Sequence, residues 1–169
     1  NMLRFPDFRS HERCFQLLTQ VSGRAGRRHT QGLVIIQTAH PAHPIIQFAS
    51  THNYRGFYEQ QITERHTYLY PPFYRLITLK FKHTDGEKAM QAAKECTTIL
   101  QKQKQLIILG PQWGLIPRIQ NQYITQTLIK IKNDQQLTTL KERVHALIEQ
   151  YKKESTIKSL RIQIDVDPQ

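Results

Sequence analysis

Apolar side chains recur at Phe15, Leu17, Leu18 and Val21, on and beside one face of a helix over residues 12–21, and the glycines at 23 and 26 predict its end. Residues 32–37, Gly-Leu-Val-Ile-Ile-Gln, read as a short buried strand. A helical stretch is expected after the prolines at 41 and 44, and residues 54–68 place Phe57, Tyr58, Ile62 and Arg65 at helical spacing until Pro71-Pro72 stops them. From Arg75 the period changes to two. Ile77, Leu79 and Phe81 alternate with Thr78, Lys80 and Lys82, the mark of a half-buried strand.

Thr84 and Glu87 have the spacing of a capping box before a helix whose Ala89, Ala92, Ala93, Cys96 and Leu100 share a face. An apolar run at 106–109, a loop broken by Gly and Pro through Pro117, and a strand at 124–132 follow. A second helix is expected to open at Asn133-Asp134, aligning Leu137, Leu140, Val144, Leu147, Ile148 and Tyr151; Leu160, Ile162, Ile164 and Val166 form the last strand. Strand, helix, strand, strand, helix, strand is the ferredoxin-like, split βαβ order, with both helices on one sheet face. In that topology the first and third strands are central neighbours, which sets Lys80 and Lys82 beside Lys130 and Lys132 on the open face. These lysines read either as a solvated face or as a surface for a nucleic-acid backbone. The first and third strands offer that face no stacking aromatics, which disfavours an RNA-recognition sheet.

Composition sharpens the division. Of 169 residues, 24 are Lys or Arg against 13 Asp or Glu, a formal net charge of +11, which favours a polyanionic partner. Residues 1–57 hold seven arginines and no lysine against two acidic residues, and every lysine lies beyond them. Arginine suits fixed bidentate contacts and lysine a diffuse field, so two regions with different tasks are expected. Cys14 and Cys96 are isolated, excluding a disulfide framework and a zinc ribbon. No run of residues has the length and apolarity of a membrane span, so a soluble, cytoplasmic protein with no membrane partner is expected. The opening residues, Asn-Met-Leu-Arg-Phe-Pro, read as a cut inside a longer chain.

The densest chemistry is Gln20-Val21-Ser22-Gly23-Arg24-Ala25-Gly26-Arg27, two arginines three apart with small residues between. A fixed arginine pair beside a cleft binds a γ-phosphate and stabilises the charge that develops on transfer, and the glycines admit close backbone approach. The alternative is a basic loop that neutralises a helix end. The octet resembles the sixth motif, QxxGRxGR, of superfamily 2 helicases. With residues 6–20 leading into it, and with Tyr70-Pro71-Pro72-Phe73, Ile108-Leu109-Gly110-Pro111 and residues 123–132 after it, the chain is similar to the bacterial primosomal replication-restart helicases over nearly its whole length.

That resemblance implies an α/β then α+β chain: the tail of a RecA-like helicase lobe 2 over residues 1–57, a connecting helix and Pro-Pro turn over 58–74, and a ferredoxin-like carboxy-terminal domain over 75–169. It implies ATP binding by Gln20, Gly23, Arg24 and Arg27, with Arg27 and Arg24 catalytic and Arg27 the arginine finger. Arg118 and Tyr123 would join Lys80, Lys82, Lys130 and Lys132 in contacting DNA, although this chain has Gln120, Gln122 and Ile124 where many members carry basic residues. The intact protein would be an ATP- and Mg-dependent 3′ to 5′ DNA helicase acting on forked or single-stranded DNA in primosome assembly. Its partners would be the single-stranded DNA-binding protein and other primosome proteins. The family's zinc-binding cysteines do not occur in this sequence, nor does a GxxxxGK[ST] phosphate loop, so the chain alone is expected to be inactive. The competing reading is a non-catalytic nucleic-acid or protein-docking module with incidental arginines. The eight histidines show no ligand spacing; Trp113 is expected to plug the edge of a core, with a stacking platform as the alternative.

Overall fold

In a computed structural model of the chain, which describes residues 7–25 and 32–168, the first helix runs as α1, Ser10–Arg24. It passes through Gly23 instead of stopping there, and Gly26 lies outside the described residues. α2 spans Pro44–Ser50, with Pro44 first and the His43 ring nitrogen accepting from the Ile45 N–H. α3 spans Tyr54–Thr67, its start capped by Asn53, whose side-chain oxygen accepts from the Gly56 N–H at 2.9 Å. Phe15, Ile45, Ala49 and Phe57 form the buried cluster of these helices, with the rings of Phe15 and Phe57 stacked at 4.2 Å.

The strand expected at 32–37 does not form. The segment has no regular structure, and Leu33 and Ile35 are 84% and 82% exposed. An apolar β-pattern becomes a strand only when another strand satisfies its backbone, and no described residue pairs with it.

The chain divides into two units, residues 1–68 and 69–169. The second holds strands β1 (Tyr74–His83), β2 (Leu106–Ile119), β3 (Gln122–Lys132) and β4 (Arg161–Val166), and helices α4 (Gly86–Gln101) and α5 (Leu137–Glu154). The strands form one antiparallel sheet in the order β2-β3-β1-β4. Ile77, Leu79 and Phe81 from β1 and Ile129 and Ile131 from β3 pack on Ala92, Ala93, Cys96 and Leu100 of α4 and Leu140, Val144, Ile148 and Tyr151 of α5. Thr127 and Thr125 lie on the same face with no exposed surface, and both hydroxyls are satisfied. One meets the Thr97 hydroxyl at 2.9 Å and the other donates to the Ala89 carbonyl at 3.0 Å.

Three boundaries differ from expectation. The side chain of Asp85, not Thr84, accepts from the Glu87 and Lys88 N–H groups at the head of α4. α5 begins at Leu137 because Asn133 is spent on the chain that precedes β1: its N–H donates to the Phe73 carbonyl and its side-chain amide to that of Pro72. The loop expected at 110–117 is instead part of β2. Pairing with β3 continues across two register shifts, one spanning Gly110-Pro111 and one spanning residues 114–117, to a two-residue turn at Gln120 and Asn121, both at positive φ. As an edge strand, β2 tolerates Pro111 and Pro117, which have no N–H to offer.

Candidate nucleic-acid interface

Residues directly opposite across a strand pair share a face, so the register says which side chains look away from the helices. They are Tyr74, Leu76, Thr78, Lys80 and Lys82 on β1; Lys132, Lys130, Leu128, Gln126 and Ile124 on β3; and Asp165, Gln163 and Arg161 on β4. β1 and β3 are neighbours, yet the four lysines are not. Lys80 and Lys82 oppose Gln126 and Ile124, whereas Lys130 and Lys132 oppose Leu76 and Tyr74, about 13 Å away along the strand. Antiparallel pairing reverses one strand, so lysines late in both sequences fall at opposite ends. Tyr74 also places one aromatic residue on this face, where none was expected.

The environments of the lysines differ as well. Lys130 is 6% exposed, with its Nζ 4.0 Å above the Tyr70 ring, and burial lowers its pKa. The Tyr70 segment therefore covers this end of the face, and Lys130 is a packed residue, not a solvated one. Lys80 lies 3.1 Å from Asp165. Lys132 is exposed and Lys82 partly so.

A compact cationic row remains at the other end. Lys82 on β1 is directly opposite Arg161 on β4, about 4.8 Å across the sheet, and neither forms an ion pair with a described residue. The next row crosses all four strands as Gln163, Lys80, Gln126 and Gln112. Two such cations beside a row of amides suit phosphate and sugar oxygens. Arg161 was not among the expected contacts, although the inward phase of Ile162 and Ile164 already turns it outward.

Arg118 and Tyr123 belong to the other face. Tyr123 opposes both His83 and Arg118, in phase with the helix-side residues Phe81 and Thr125. The Arg118 guanidinium lies 5.0 Å over the Tyr123 ring and donates to the Asn121 side-chain oxygen. Trp113 meets Tyr123 edge-to-face at 6.3 Å, and both rings press on Gly86, where a Cβ would come within 3.2 Å of Trp113 and 3.3 Å of Tyr123. Trp113 is nonetheless 44% exposed, so it does not plug a core.

In the first unit, Gln20, Gly23 and Arg24 ride on the end of α1, all exposed, with Gln20 and Arg24 four residues apart on one helix face. Arg27 lies outside the described residues. Among the described residues no three His, Cys, Asp or Glu side chains gather as a metal site, and no helix is long and apolar enough to cross a membrane.

Residues 66–169, which include the whole sheet unit from β1 to β4, match the family model described as "Primosomal protein N C-terminal domain". The chain belongs to this PriA family. Over 98% of its length it is 42% identical to the replication restart protein PriA of Bacillus subtilis, and over 99% it is 42% identical to that of Synechocystis. The PriA of Chlamydia pneumoniae is 35% identical over 98% of the chain. The chain spans about a fifth of the length of these PriA relatives, 20% for the first two and 22% for the third.

Proposed function

We propose that this chain is the carboxy-terminal part of an ATP-driven 3′ to 5′ DNA helicase acting in replication restart, and that its sheet unit grips the DNA backbone. The relatives bear the name of replication restart proteins. The observation that carries the DNA role is the Lys82 and Arg161 row on the face the helices leave uncovered. In this reading the sheet unit is a ferredoxin-like domain, an assignment supported by its element order and by a sheet whose two central strands are β1 and β3. The first unit is the end of helicase lobe 2.

Gln20, Gly23 and Arg24 would approach ATP from the end of α1, with Arg27 as the finger on the transferring phosphate. ATP supplies the phosphoryl transfer that drives unwinding, with magnesium neutralising its phosphates. The phosphate loop and the magnesium ligands would come from residues outside this chain. Forked or single-stranded DNA, the single-stranded DNA-binding protein and other primosome proteins are the partners of the whole, in the cytoplasm; zinc would belong to another part of it.

The test is anisotropy of a labelled fork against salt concentration, comparing the chain with a Lys82→Glu, Arg161→Glu double variant. With two phosphates no longer neutralised, binding should weaken and the slope of log affinity against log salt should fall by about 1.8. An unchanged affinity and slope would show that the row is a solvated face. Lys130 is unsuited to this test, because a carboxylate buried beside Tyr70 would perturb folding.

A further inference from the structure

The helix-side face of the β2–β3 hairpin carries a second arrangement that phosphate binding leaves unused. Trp113, Tyr123 and Arg118 form a continuous series of ring, ring and guanidinium, with contacts of 6.3 Å and 5.0 Å. Gly86 is what lets both rings settle against the start of α4, since any side chain there would press on them at 3.2–3.3 Å. Packed from below, Trp113 keeps nearly half its surface open, and the neighbouring Leu115 and Ile116 are 66% and 59% exposed.

We propose that this hairpin is a stacking platform for unpaired nucleic-acid bases, with Trp113 as its principal ring and Arg118 its own cation. The proposal rests on the DNA reading above and adds to it a second site, on the sheet face opposite Lys82 and Arg161, that reads bases and not phosphates. An exposed ring costs little entropy to present and offers a π-face to any base, whereas stacked bases of a duplex have none to give. Charge favours the same occupant: the chain carries a formal net charge of +11, and the platform's own face presents the exposed cation Arg118 beside the Tyr123 ring.

Trp113 is the sole tryptophan, so its emission reports the platform directly. The full chain is titrated with 5′-labelled oligothymidylate and, separately, with a blunt duplex of equal phosphate count, following anisotropy and Trp113 emission together. The single strand should quench Trp113 in step with the anisotropy, and the duplex should bind without quenching. Trp113→Ala should weaken the single strand roughly 5- to 150-fold with an unchanged salt slope, leave the duplex alone, and be largely rescued by Trp113→Phe. Single-strand binding without quenching overturns the proposal, as does equal quenching by duplex, or a Trp113→Ala variant of wild-type affinity. A misfolded alanine variant would not protect it, because the wild-type emission decides alone. If the Lys82 and Arg161 reversal changes nothing while Trp113 is still quenched, the platform stands and the phosphate row fails. If duplex binding depends on that row and Trp113 is silent, the reverse holds. Absence of binding to either probe overturns both.

Discussion

Replacing Gly110 by Ala should destabilise the sheet unit far more than one methyl group suggests. Gly110 sits at the first register shift of β2 with φ of 101°, a backbone conformation that side-chain-bearing residues rarely adopt. A Cβ built there lies 3.0 Å from the Gln126 carbonyl oxygen on β3 and 3.2 Å from the Gln112 nitrogen, and both are backbone atoms that cannot swing aside. Backbone strain of this kind costs about 1–3 kcal/mol. The smaller unfolded-state entropy of Ala returns about 0.4–1 kcal/mol, leaving a net loss near 1.5–2 kcal/mol once the close contact is included. Urea unfolding followed through Trp113 reads the sheet unit specifically. With a slope of about 1–1.5 kcal/mol per molar for a unit of this size, the midpoint should fall by about 1–2 M. Gly114→Ala, in the same strand, is the control: its Cβ would meet neighbours at an ordinary 3.4 Å, so its midpoint should move much less. Equal midpoints for Gly110→Ala and the parent would refute the strain argument.

Burial pushes the Cys96 thiol up to about 12, and burial together with the hydrogen bond from its hydroxyl to Glu95 holds Tyr151 at about 12. Folding thus favours the protonated form of each, so their contribution is intact below the unfolded values and is lost as pH rises from about 8.5 for Cys96 and about 10 for Tyr151 towards 12; unfolding free energy, measured by denaturant from pH 8 to 11, should fall at up to about 1.4 kcal/mol per pH unit for each ionising group. A flat profile would contradict it. In the native chain an aromatic disulfide reagent should leave Cys96 unmodified, since the reactive species is the thiolate. In the intact helicase, Arg27→Ala should lower ATP turnover about 10³-fold or more while DNA binding persists, and the present chain alone should show no DNA-stimulated turnover. Lys130→Met, which keeps the stem under Tyr70, should cost about 1–2 kcal/mol in chemical denaturation, whereas Lys130→Glu should cost several-fold more.

The sheet unit was legible where one side chain in two carried the same message. Ile77, Leu79 and Phe81 identify β1 because each is apolar and each alternate is polar, and Ala89, Ala92, Ala93, Cys96 and Leu100 identify α4 by a spacing no strand can use. β2 was half hidden. Gly110, Pro111, Gly114 and Pro117 signal a loop locally, and only pairing with β3, through backbone bonds that skip those residues, keeps the strand extended. Residues 32–37 failed in the opposite sense, since composition alone does not supply a neighbouring strand. Of the candidate site, the motif residues Gln20, Gly23 and Arg24 could be placed on a helix end, but the lysines could not be sorted without register. Nothing in the residues near Lys130 announces that Tyr70, sixty positions earlier, will lie across it.

The two prolines of β2 bear on how this unit behaves in solution at high concentration. The outer edge of a sheet is a template for another molecule's strand, and missing N–H groups at Pro111 and Pro117 interrupt that template over the hairpin half. The stretch Leu106-Ile107-Ile108-Leu109 has no such interruption, carries no charge, and lies on the same edge. Aggregation of the isolated unit should therefore begin there, and a lysine at Leu109, which is already 49% exposed, is the substitution best placed to suppress it.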